Sequence, residues 1–198
     1  MPPRAPNEMQ TSQTKNDLRQ RMRTALAAVT PTVRMAASIE ACDRLKSQMP
    51  CAAAILFYAP LPDELDVWPL FEESMALGTL CALPYFDPEK QQYSARQITD
   101  PRTQIVTGKF GIREPDATTT EIPLDKFNLI LVPGMAFDLK GNRLGRGRGF
   151  YDRLLIETAG IKCGICHDGQ LFPEIPVEPQ DAKVDFILTP SKLVRRKP

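Results

Sequence analysis

Phe127-Asn-Leu-Ile-Leu-Val-Pro133, Gly141-Asn-Arg-Leu-Gly-Arg-Gly-Arg-Gly149 and Phe150-Tyr-Asp-Arg-Leu-Leu-Ile156 follow one another as an apolar run, a glycine–arginine run and a helix-like run. The middle segment has almost nothing apolar to bury. Each interior glycine would also cost a helix or strand roughly 0.5–1 kcal/mol relative to alanine. Such a segment lets backbone N–H groups approach an anion while guanidinium forks close around it. The order is therefore strand, glycine-rich loop, helix, the arrangement in which α/β proteins build phosphate sites.

The rest of the chain repeats the alternation. Leu18, Met22, Leu26 and Val29 share one helical face after a capping-box-like start at Thr14, with Lys15 inside that stripe and Arg19 at its edge. A lysine there either snorkels off the helix end or joins Arg19 in aiming charge into a pocket. Thr30-Pro31 starts a second helix that runs to about Gln48. Cys51–Tyr58 reads as a buried strand, Ala59–Leu65 as a loop, Asp66 to Gly78 as a helix and Thr79–Leu83 as a further strand. Five prolines from Pro84 to Pro123 mark a hairpin with irregular loops, a candidate lid beside the main sheet. Phe127–Pro133, Ile161–Cys166 and Val184–Leu188 complete the strands. The expectation is a three-layer α/β/α fold with a mostly parallel central sheet and a small hairpin insertion. Residues 14–190 form its single domain, between a disordered lead-in over 1–13 and a frayed basic tail over 191–198.

A length of 198 residues suffices for one real core, and 42% apolar with 25% charged residues is ordinary for a globular chain. Net charge is +1, so no global field points to nucleic acid or to a membrane surface. No stretch approaches the roughly 20 apolar residues of a membrane span. Five cysteines suit buried thiols in a reducing compartment. Cys163 and Cys166 have CxxC spacing, but strand alternation turns their sulfurs to opposite faces. By itself the glycine–arginine run is compatible with single-stranded RNA, a sugar phosphate or CoA ester, or a nucleotide.

The segment from Leu131 to Arg153, read as VPG-x-x-FD-x-x-G-x-RLG-x-G-x-GFYDR, resembles the signature of the 5-formyltetrahydrofolate cyclo-ligase (methenyltetrahydrofolate synthetase) family. Lys15-x-x-x-Arg19, Asp63-Glu64, Gly111-Ile-Arg-Glu-Pro115 and Asp181-x-x-Val-Asp185 agree in order and spacing. The resemblance thus spans Lys15 to about Thr189. It implies ATP- and Mg²⁺-dependent ring closure: the formyl oxygen takes the γ-phosphoryl group, and N-10 then attacks the activated carbon. It implies ATP contacts from Lys15, Arg19, Arg143, Leu144, Gly145, Arg146, Gly147, Arg148, Gly149, Phe150 and Tyr151. Folate contacts are implied for Ala59, Glu64 and Arg146 through Phe150, catalytic roles for Arg146 and Arg148, and magnesium ligation for Asp152 and Asp185. Arg148 stands where the family often has lysine, and Phe150 where tyrosine is common. A monomeric cytoplasmic enzyme acting on small molecules, with no nucleic-acid or membrane partner, is the resulting expectation.

Overall fold

The computed structural model describes residues 6–49, 52–87, 92–108 and 111–197, with side chains from residue 14 onward. In chain order its elements are α1 (Pro6–Ala27), α2 (Pro31–Gln48), β1 (Ala54–Leu56), α3 (Trp68–Ala76), β2 (Leu80–Asp87), β3 (Gln92–Gln97), α4 (Pro101–Gln104), β4 (Ile105–Thr107), β5 (Arg113–Pro115), β6 (Glu121–Ile122), β7 (Leu129–Pro133), β8 (Ala136–Asp138), β9 (Arg143–Leu144), α5 (Phe150–Ile156), β10 (Ile161–Ile165), β11 (Leu171–Phe172), β12 (Phe186–Leu188) and β13 (Leu193–Arg195).

Eight strands form the main sheet in the order β13-β12-β10-β7-β1-β2-β3-β6. From β12 to β2 the pairing is parallel, and β13, β3 and β6 add antiparallel edges. The continuous apolar runs arise because both faces are covered. Leu129, Leu131, Cys163 and Ile165 face α2 and α3, where they meet Cys42, Leu45, Leu70 and Phe71. Ile130, Val132, Cys166 and Ile187 face the other way, onto Leu154 and Leu155 of α5 and Phe137 of β8. The sulfurs of Cys163 and Cys166 do lie on opposite faces, as period-2 alternation requires. A satellite core joins Leu18, Met22 and Leu26 of α1 to Met135, Ala136, Leu144 and Ile175.

Thr30 caps α2 by accepting the Val33 N–H, at 3.4 Å, and Gly78 ends the α3 segment at φ +85°. Several sequence expectations are corrected. The first helix begins at Pro6 rather than Thr14, so the lead-in over 1–13 is helical from residue 6. Residues 1–5 and Cys51 lie outside the described residues. The Pro84–Pro123 segment divides: β4 and β5 pair as a separate two-stranded hairpin, whereas β3 pairs with β2 over six residues and extends the main sheet. The tail is not frayed either. Leu193 and Val194 give it enough apolar surface to pair as β13 against β12. Finally, the glycine loop does not follow the Phe127–Pro133 strand directly, because the β8–β9 hairpin stands between them.

Candidate active site

The chain order reverses its direction across the sheet between β1 and β7: β2 lies on one side of β1, and β10 and β12 lie beyond β7. The carboxyl ends of two such strands diverge, opening the crevice where doubly wound sheets bind ligands. The loop after β1 carries Ala59, Asp63 and Glu64, and β7 leads through β8 and β9 to Gly145–Gly149. The loop after β1 is anchored. The Tyr58 hydroxyl donates to Leu65 O at 2.8 Å, and the Leu61 N–H donates to Glu64 Oε2 at 3.0 Å.

Arg146 joins them. Its Nε and Nη2 each donate to Glu64 Oε1 at 3.2 Å, and Nη2 reaches Asp63 Oδ1 at 2.5 Å. Burial raises the Glu64 pKa above the usual carboxylate range, against the Leu61 N–H and Arg146, which pull it down. The two residues expected to read substrate and phosphoryl group are thus in contact. Asp63, seen in the sequence only as Glu64's neighbour, completes the bond.

The loop backbone has the shape that its glycines permit. Gly147 sits at φ +100° and Gly149 at φ +64°, a region costly to residues with a Cβ. A Cβ on Gly145 would lie 2.8 Å from Arg143 Nη1, so the guanidinium passes directly beneath a bare Cα. Arg143 itself points inward. It is 5% exposed, with Nη2 on Asp152 Oδ1 at 2.9 Å and Nη1 on Pro133 O at 3.4 Å. Leu144 is buried in the α1 core, leaving only its backbone available to a ligand. Arg148 and Gly149 are exposed at the loop tip. Phe150 packs edge-on to Tyr93 at 4.2 Å and against Tyr151 at 5.0 Å. Arg153 donates to the Tyr93 hydroxyl at 2.9 Å. Tyr93, from β3, is a wall of the site that sequence reasoning missed; its signal was one aromatic in an alternating segment.

From α1, Arg19 Nε donates to the Gly145 carbonyl at 2.9 Å, and its Nη1 donates to Asn16. Among the described residues no carboxylate lies within ion-pair distance of Arg19. Burial lowers its pKa, while Glu178, Asp181 and Asp152 act to raise it. Lys15 is 4% exposed, inside the apolar stripe, but it neither snorkels nor faces an open pocket. Its Nζ bonds Asp181 at 2.6 Å and Glu178 at 3.0 Å.

Each of the two expected metal ligands already has partners within the protein. Asp152 Oδ1 accepts Arg143 and the Ala182 N–H. Asp185 lies just before β12, where its Oδ2 accepts the Lys162 N–H at 3.0 Å and its Oδ1 faces Arg196 at 3.8 Å. Among the described residues no group of three or more His, Cys, Asp or Glu side chains is arranged around a metal position. A lone carboxylate still suits Mg²⁺, which retains waters and shares phosphate oxygens. Asp152 Oδ2 has no hydrogen-bond partner among the described residues and sits one helical turn from the glycine loop.

The site is a switch-point crevice lined by a glycine–arginine loop, set in a three-layer α/β fold. The profile of the 5-formyltetrahydrofolate cyclo-ligase family matches residues 11–190. The chain is 32% identical over 186 residues to the 5-formyltetrahydrofolate cyclo-ligase of Escherichia coli (strain K12), covering 89% of this chain and 98% of the relative. It is 25% identical over 187 residues to that of Mus musculus, with 88% and 92% covered. The NMR structure of Aquifex aeolicus 5,10-methenyltetrahydrofolate synthetase superposes with a TM-score of 0.84 at 30% identity, covering 93% of each chain. The Mycoplasma pneumoniae 5,10-methenyltetrahydrofolate synthetase shares the fold, with a TM-score of 0.72 at 20% identity over 89% of this chain and 98% of that one. The chain belongs to the 5-formyltetrahydrofolate cyclo-ligase family and is an enzyme.

Proposed function

We propose that this chain converts 5-formyltetrahydrofolate to 5,10-methenyltetrahydrofolate with consumption of ATP, as a Mg²⁺-dependent monomer of the cytoplasm. The observation that carries the reading is Arg146, which links the glycine loop to Glu64 across the crevice.

The formyl oxygen attacks the γ-phosphorus of ATP, the bond to the β-phosphate oxygen breaks and ADP leaves. N-10 then attacks the formyl carbon, phosphate departs with the former formyl oxygen, and the N-10 proton is lost. Phosphoryl transfer asks the protein chiefly for positioning and charge neutralisation. Gly145–Gly149 amides, Arg19 and Arg148 supply the cradle in this reading. Arg143 acts one step back, bracing the loop and Asp152. Mg²⁺ on Asp152 would neutralise phosphate charge; Asp185, already bonded to Lys162 and facing Arg196, takes no part. Glu64 accepts the paired N–H donors of the pterin edge, with Ala59 lining the same loop. Glu64 Oε1 is held by Arg146 and Oε2 by Leu61. An entering pterin therefore displaces Arg146, and the released guanidinium lies on the loop that cradles the transferring phosphoryl group.

Cys42, Cys81, Cys163 and Cys166 are buried free thiols, which suits a reducing compartment. Among the described residues no helix is long and apolar enough to cross a membrane. Mixing purified protein with 5-formyltetrahydrofolate, Mg²⁺ and ATP is expected to build methenyl absorbance; folded protein that forms no ATP-dependent product would overturn the assignment.

A further inference from the structure

A cavity of about 660 Å³ opens beside the crevice and shares Glu64 with it. It follows α2 from Pro31 to Lys46, about 22 Å at 1.5 Å per residue. Along this helix Met35 and Ile39 stand one turn apart, 62% and 56% exposed. They form an apolar wall of the cavity that the fold leaves uncovered, facing Leu61 and Leu70. Two of the cavity's cations are occupied. Lys46 is paired with Asp43 at 3.2 Å and Glu73 at 3.0 Å, and Arg34 donates to the carbonyls of Leu26 and Val29.

Arg113 is different. Its guanidinium lies 4.1 Å over the Trp68 ring and has no ion pair among the described residues. Stacking on an indole holds the guanidinium plane while leaving its N–H edges free to grip a carboxylate. The acids of this wall do not repel an anion at full strength, because Asp43 and Glu73 are on Lys46, Asp66 accepts the Trp68 N–H, and Glu64 is taken up by the pterin's N–H donors.

The cavity thus offers a carboxylate acceptor where it meets the crevice, apolar walls along its length and a preorganised guanidinium. We propose that it receives the p-aminobenzoylglutamate half of the folate, with the ring against Met35 and Ile39 and the glutamyl carboxylates on Arg113. Arg113 is then a specificity-determining residue for the tail. This rests on the reading that the pterin is held at Glu64.

The test compares 5-formyltetrahydropteroate, which lacks glutamate, with the monoglutamate and triglutamate of 5-formyltetrahydrofolate. Wild-type protein is expected to show the lowest KM for the glutamylated forms. Arg113→Ala raises KM for those forms about tenfold, the scale of one lost charge-assisted contact, and erases their advantage over pteroate. Arg113→Met keeps an apolar stem over Trp68 and gives the same result. Ile39→Asp, at an exposed position, raises KM for all three forms because the ring is common to them. A pteroate-to-glutamate KM ratio that stays at the wild-type value in both Arg113 variants overturns the proposal while leaving the activity standing. Wild-type protein inactive on every form overturns the functional reading, and this proposal with it.

Discussion

Arg146 is held in place by the two acids it must leave. Burial favours a neutral Glu64, and the Leu61 N–H and the Arg146 guanidinium act against it. Because the folded pKa of Glu64 is raised, the carboxylate protonates at a higher pH than an exposed glutamate, whose ordinary value is about 4.3. A neutral carboxyl cannot accept two N–H donors. KM for 5-formyltetrahydrofolate is therefore expected to rise as pH falls through a value above the ordinary one, and Glu64→Gln removes that limb. Arg146, Asp63, Tyr58 and Tyr151 surround the group, so the profile is best read from the difference between wild type and Glu64→Gln. Asp152 and Asp185 are told apart by magnesium titration. Asp152→Asn keeps the Arg143 contact in shape and is expected to raise the Mg²⁺ needed for half-maximal turnover about tenfold, whereas Asp185→Asn leaves that concentration unchanged. Equal shifts in both variants would show that the two carboxylates share an ion. At this scale the sequence told residue types well and their partners badly. Arg146 and Glu64 were both expected at the site, but nothing local announced that they bond. The ion pairs of Lys15 with Glu178 and Asp181 had no signal in the sequence, because these partners are more than 160 positions away.

Helix α1 is an element that serves the site from outside the sheet. Leu18, Met22 and Leu26 seat it, Lys15 locks it to the 178–181 segment, and Arg19 then reaches Gly145. The register follows from spacing: Lys15 and Arg19 are four apart, so one face of one helix presents both. Lys15→Ala strands two largely buried acids. Breaking a buried pair costs about 3–5 kcal/mol, and since Glu178 and Asp181 keep 19% and 14% side-chain exposure, a loss of about 2 kcal/mol is expected. In a chain of this size that lowers Tm by about 6 °C. The variant should also raise the KM for ATP, through the displaced Arg19. An unchanged Tm would mean that α1 is held by its apolar stripe alone. Helix α2 was legible to the residue because Thr30-Pro31 is a strong start signal. The β8–β9 hairpin was not, because Ala136–Asp138 and Arg143–Leu144 are too short for periodicity to speak.

At the scale of the whole molecule, alternation decides both fold and chemistry. The same period-2 pattern that buries Leu129 and Leu131 on one face and Ile130 and Val132 on the other separates Cys163 from Cys166. That part was readable in the sequence. The edge strands were not, since β3, β6 and β13 owe their pairing to neighbours elsewhere in the chain. Burial raises the thiol of Cys42 to about 11 and that of Cys81 to about 12, and those of Cys163 and Cys166 upward as well. Thiolate is the reactive form, so iodoacetamide at neutral pH is expected to leave these four unlabelled in native protein and to label them after denaturation. Rapid native labelling of Cys163 would mean that the sheet opens there.

The central claim is that one crevice, with Glu64 on one side and the glycine–arginine loop on the other, couples ATP to folate. It is tested most directly by measuring ADP and methenyl product together, with and without 5-formyltetrahydrofolate. The account predicts one ADP released per methenyl group formed, and little ADP while Arg146 remains bound to Glu64 in the absence of folate. Product that forms without ADP, or ADP release at the full rate without folate, would contradict it.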